Sequence, residues 1–103
     1  MTEITELYRR IIHDGVTEAS QSVWRIGTDV VRVIIPFRKL APAYAQILTA
    51  DWEWKFLESL RATAVYDIFN SMEVDGTPDR RSIDKAAETD EKRLLSFVVK
   101  LLS

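Results

Sequence analysis

The chain has 103 residues, 47% hydrophobic and 29% charged, with three glycines, three prolines and no cysteine. This suits one compact domain over residues 1–103 and excludes two domains, intrinsic disorder, a disulfide framework, thiolate metal sites and cysteine chemistry. Fourteen basic residues against sixteen acidic ones, a formal net charge of −2, give no strong overall field toward nucleic acid or an anionic membrane.

Ile4, Leu7, Tyr8, Ile11 and Ile12 recur at three- and four-residue spacing, which predicts a helix over residues 3–14. Thr2 would cap it, Glu6 would pair with Arg10 one turn on, and Gly15 would be its left-handed stop. The next stretch places Val16, Ala19, Val23, Ile26, Val30 and Val33 on a second helical stripe, with Thr17 as cap and Pro36 as terminator. Arg25, Asp29 and Arg32 share its opposite face. An alternative stands beside this one for residues 22–37. Val30, Val31, Val33, Ile34 and Ile35 are β-branched, and Gly27-Thr28 can turn a hairpin between residues 23–26 and 30–37. The repeated match to one helical period, next to helical neighbours, favours the helix.

Pro36 and Pro42 bracket a short connector, residues 37–41, and a long helical stretch from Ala43 to Met72 follows. Asp51 could restart it as an internal N-cap with Glu53 in the new first turn, giving two helices instead of one. Val74-Asp75-Gly76-Thr77-Pro78 reads as a turn, with Thr77 as N-cap and Pro78 at the first position of a last helix. That helix would bury Ile83, Ala87, Leu94, Phe97, Val98 and Leu101, pair Glu88 with Lys92, and solvate its middle, residues 88–93. The expected fold class is therefore all-α, a small bundle of four to five helices.

Six of the ten aromatic residues lie in the third segment, which is apolar around more than half its circumference, and residues 94–102 are apolar on nearly every side. A domain of this size buries only about 60–65% of its unfolded surface, so part of this apolar surface is expected to meet a second copy or another protein. The candidate interface residues are Tyr44, Trp52, Trp54, Phe56, Phe97 and Leu101.

The one histidine lies in His13-Asp14-Gly15-Val16, a tetrad that resembles the phosphoacceptor box of one class of sensor histidine kinases. The resemblance covers four residues and implies a phosphorylatable histidine on a dimerising helical hairpin, with an acidic neighbour that assists the transfer. A solvent-facing histidine favoured by the end of a helix is the reading adopted. No metal is expected, because no His, Asp or Glu set has ligand spacing. Glu53 and Asp67 cannot be told from ordinary helix decoration, and the isolated glycines cannot form a phosphate loop, so no enzyme and no cofactor is expected. Basic residues crowd the first forty positions. Arg9, Arg10, Arg25, Arg32, Arg38 and Lys39 could form a stripe along a phosphate backbone, with Arg80-Arg81 a second exposed pair.

The leading functional expectation is a non-enzymatic small subunit or adaptor acting through protein–protein contacts, self-associating or built into a larger assembly. The alternative is a small helical subunit of a nucleoprotein complex, of the size and class of those that line the backbone in RNA-guided CRISPR effector complexes. A compact phage or host regulatory protein that blocks a protein partner is a third. The acidic opening, residues 1–6, lacks the positive region of a signal peptide, and the apolar run from Val33 to Phe37 is far too short to span a bilayer. A cytoplasmic location, with no membrane partner, is expected.

Overall fold

The computed structural model describes residues 3–15, 17–75 and 79–103. Five strands lead, β1 (Ile4–Asp14), β2 (Thr17–Ile26), β3 (Asp29–Pro36), β4 (Pro42–Leu48) and β5 (Trp54–Arg61), followed by α1 (Thr63–Asp75) and α2 (Arg80–Leu102). The strands form one antiparallel meander in chain order, so β1 and β5 are its edges. α2 lies across one side of the sheet against β2 to β5, and α1 packs beside α2. The expectation of an all-α bundle is overturned: five strands lie between Ile4 and Arg61, and among the described residues helix begins only at Thr63.

The hairpin weighed for residues 22–37 is the one that forms. Ile26 pairs directly with Asp29, leaving the two-residue connection Gly27-Thr28 with Gly27 at φ +62. Glycine at the first central position of a two-residue hairpin matches the right-handed twist of its strands, and the β-branched run that follows suits a pleated surface. Gly15 does have φ +72, as a left-handed stop requires, but it opens the β1–β2 connection instead of closing a helix. Thr2, Val16, Gly76, Thr77 and Pro78, to which the expectations assigned capping, stripe and turn roles, lie outside the described residues.

The helical spacing in β1 is produced by a β-bulge. Glu6 pairs with Trp24 and Tyr8 with Val23, so Leu7 is an extra residue that shifts the alternation by one. Ile4 and Ile11 then fall on the helix side of the sheet, and Tyr8 and Ile12 on the other. A two-sided strand with a bulge in the middle thus imitates the steps of three and four of a helix. Glu6 pairs with Arg9 at 2.8 Å, not with Arg10, because Arg10 points to the opposite face.

The third segment is β4, a turn, β5 and most of α1. Asp51 lies in the turn, where the Thr49 amide donates to the Glu53 carbonyl at 2.8 Å and the Trp52 amide to the Thr49 carbonyl at 3.0 Å.

The core lies between sheet and helices. Val31, Val33 and Ile35 of β3 and Ala43 and Ala45 of β4 meet Val65 of α1 and Ala86, Ala87, Leu94 and Val98 of α2. The alanines on both layers let α2 approach closely, while each large aliphatic chain so buried contributes about 1.5–3 kcal/mol. Of the apolar face expected for the last helix, Ala87, Leu94 and Val98 are buried, whereas Phe97 and Leu101 are half exposed.

The middle of that helix is solvated at Glu88, Thr89, Lys92 and Arg93, as expected, but not throughout. The Glu88–Lys92 pair is present at 3.3 Å, but Asp90 and Glu91 between them are buried. Asp90 accepts the Ala64 amide at 3.0 Å and the Val65 amide at 2.9 Å, so it caps α1 from a distant element; Ala62, which precedes α1, has no side chain able to do this. Glu91 accepts both Nη atoms of Arg9, at 2.9 and 2.6 Å, and the Ser22 hydroxyl at 3.0 Å. Burial opposes the charge of Arg9, yet its hydrogen bonds to Glu91 and Glu6 hold the guanidinium above the ordinary arginine value. α2 itself is capped by Asp79, which accepts the Ser82 amide at 2.7 Å. Among the described residues no helix is long and apolar enough to cross a membrane.

Candidate functional site

Because both helices cover one side of the sheet, the other side is open, and strand register decides what it displays. Residues that pair across successive strands share a face. One row across the open side runs Tyr8, Val23, Arg32, Gln46, Phe56. The next runs Arg10, Gln21, Ile34, Tyr44, Ser59. Thr5, Arg25 and Val30 form a flanking row, and Leu48 pairs with Trp54 at the same end. Ala19, Gln21, Val23 and Ile34 are buried here although no helix covers them. Their register neighbours Tyr8, Arg10, Arg32 and Tyr44 are long side chains able to lie over them.

Two arginines are held in place by uncharged partners. Arg10 Nε donates to Gln21 Oε1 at 2.7 Å, and its guanidinium lies 5.8 Å from the centre of the Tyr8 ring. Arg32 Nε donates to Gln46 Oε1 at 2.6 Å, and its guanidinium lies 4.4 Å from the Trp54 ring. Stacking on a ring is worth about 0.5–2 kcal/mol and fixes the fork without neutralising it. Arg25 is 3.9 Å from Glu3. Glu6, Glu18, Asp29 and Glu58 alternate onto the helix side, while Glu3 lies beside Arg25 on this one. The result is a surface where full positive charges alternate with aromatic rings, Phe56 at 65% and Tyr8 at 47% exposed.

Of the residues singled out from sequence, the structure brings together Tyr44, Trp54, Phe56, Arg10, Arg25 and Arg32 on this open side. Trp52 stands apart at the β4–β5 turn, 82% exposed with φ +63, a left-handed conformation that a bulky residue adopts only at a cost. Phe97 and Leu101 lie on the last turns of α2. Arg9 is turned inward to Glu91. Arg38 and Lys39 occupy the β3–β4 connection, where the Lys39 ammonium is 5.7 Å from the Tyr66 ring. The stripe of arginines expected from paired helices is replaced by Arg10, Arg25 and Arg32 on three neighbouring rows of the open face, and Arg9, Arg38 and Lys39 are not among them. Sequence reasoning missed Tyr8, Gln21 and Gln46; reading residues 8, 10 and 12 and residues 19, 21 and 23 by twos would have found the face.

His13 is exposed on β1 opposite Glu18, so the helical hairpin implied by the phosphoacceptor resemblance is absent. On the helix side, a cleft of about 500 Å³ between β1 and α2 is lined by Arg9, Ile11, Ser20, Phe37, Ala87 and Glu88, among others. Among the described residues no three His, Cys, Asp or Glu side chains converge as a metal site would need. No protein-family model, curated protein or solved structure matches this chain.

Proposed function

We propose that this chain is a non-catalytic binding protein whose open sheet face takes single-stranded nucleic acid, as a subunit of a nucleoprotein assembly. The observation that carries the reading is the pair Arg10 and Arg32, each oriented by a glutamine and an aromatic ring and neither matched by a carboxylate among the described residues. Flexible strands need a basic track for phosphates and aromatic faces for bases, and the rows through Phe56 and Tyr44 supply both within one surface. Nothing in such contacts reads a sequence, so binding is expected to be sequence-tolerant. A cytoplasmic location, with which the cysteine-free composition is compatible, belongs to the same proposal.

Anisotropy of a labelled single-stranded oligonucleotide tests it. Three phosphate contacts, from Arg10, Arg25 and Arg32, give a slope of log K against log salt of about −2. The double reversal R10E/R32E should weaken binding at least tenfold with an unchanged circular dichroism spectrum. Removing a stacked ring in F56A should cost about 1–3 kcal/mol. Salt-independent binding, or equal affinity of the reversal variant, would contradict the reading. A protein partner is the second reading, favoured by Phe97 and Leu101, which are half exposed away from the open face. Capture of a partner lost in F97A/L101A but kept in R10E/R32E would favour it.

A further inference from the structure

β1 is an edge strand of 11 residues, and among the described residues no strand pairs with its outer side. Ile4, Leu7, Tyr8 and Ile11 are each 42–47% exposed along it. Solitary proteins keep such edges short, covered or charged, because a long apolar edge is a template for another strand. We infer that β1 pairs antiparallel with β1 of a second copy about a twofold axis between Leu7 and Tyr8, joining two five-stranded sheets into one of ten.

Register selects this arrangement. It sets Ile4 opposite Ile11 of the second copy, Thr5 opposite Arg10, Glu6 opposite Arg9, and Leu7 opposite Tyr8. In a regular strand residues 4 and 11 would lie on opposite faces, as would 6 and 9. The bulge at Leu7 corrects this. Ile4, Glu6, Arg9 and Ile11 all face the helix side, and Thr5 and Arg10 both face the open side. These three pairs then match in face, and two of them match in chemistry as well: Ile4 with Ile11 sets apolar on apolar, and Glu6 with Arg9 sets carboxylate on guanidinium. Moving the axis by one position either way sets Glu6 against Leu7 or Ile11.

The helix side also has room for the incoming side chains. Ile4 borders a groove of about 370 Å³ against α2, lined by Leu95 and Val99 with Lys92 and Lys100 at its rim. Ile11 borders the cleft that contains Phe37 and Ala87. The second copy's Ile11 enters beside the first groove and its Ile4 beside the second, so both are filled twice by symmetry. Glu6 and Arg9 of the two copies form a quartet around the axis.

Light scattering on the nuclease-treated full chain tests the pairing. The expected mass is twice 11.9 kDa, falling to 11.9 kDa in Ile11→Lys with an unchanged circular dichroism spectrum. Because the chain has no cysteine, single-cysteine variants report the register. Mixed I4C and I11C should cross-link under mild oxidation, whereas mixed I4C and I12C, on opposite faces, should not. A mass of 11.9 kDa for the unaltered chain at high micromolar concentration, or equal cross-linking of the two mixtures, overturns the pairing. The measurement contains no nucleic acid, so its failure leaves the open-face reading standing, and loss of oligonucleotide binding leaves the dimer standing.

Discussion

Asp90 is a buried carboxylate whose two oxygens are committed to the free amides that begin α1, with Arg93 Nη1 at 3.4 Å. A helix start that is buried must find acceptors inside the protein, and Ala62 offers none, so the cap comes from the neighbouring helix. Removing it strands the buried Val65 amide away from water and leaves the part-buried Ala64 amide without its acceptor. D90A should lower the unfolding free energy in urea by about 2–4 kcal/mol, and D90N, which keeps one acceptor, by about half of that. An effect as small as that of an exposed cap would mean that the start of α1 is solvated after all.

At the scale of elements, α2 carries its own acid-sensitive start. The Ser82 amide holds the Asp79 carboxyl below the usual aspartate range. A lowered folded value means that the cap contributes fully above the unfolded aspartate value of about 3.9 and is lost as pH falls through the lower folded value. Urea midpoints measured downward from neutral pH should therefore show a shallower acid loss for D79N than for the unaltered chain.

The sequence made α2 legible: its start lies within three residues of the expected cap, and Ala87, Leu94, Val98 and the Glu88–Lys92 pair are where periodicity put them. It misled over the sheet for a physical reason. β3 and β4 are lined with apolar side chains on both faces, and β1 is bulged, so the alternation by twos that marks a half-buried strand is erased in each. The β-branched run and Gly27-Thr28 were the surviving strand signals. The residues of the open face were recognisable by chemistry as aromatic and basic, but only the strand register gathers six of them onto one surface.

For the whole molecule, the meander is local, each strand pairing with the next, while its covering layer is not. Arg9 and Glu91, 82 positions apart, join the two ends of the chain, with Ser22 and Trp24 completing the network. E91A leaves Arg9, which is 40% accessible, able to turn to water, so the expected loss is about 2 kcal/mol, below that of a fully enclosed pair. A double-mutant cycle with R9A would measure how much of that loss is coupling between the chain ends. The same span sets a condition on biosynthesis. Leu94 and Val98, which cover the sheet, follow all five strands in the chain, so the inner face of the meander stays wet until α2 has left the ribosome. Nascent chains stalled before α2 should therefore need a chaperone or be degraded, whereas chains stalled after it should hold a protease-resistant sheet.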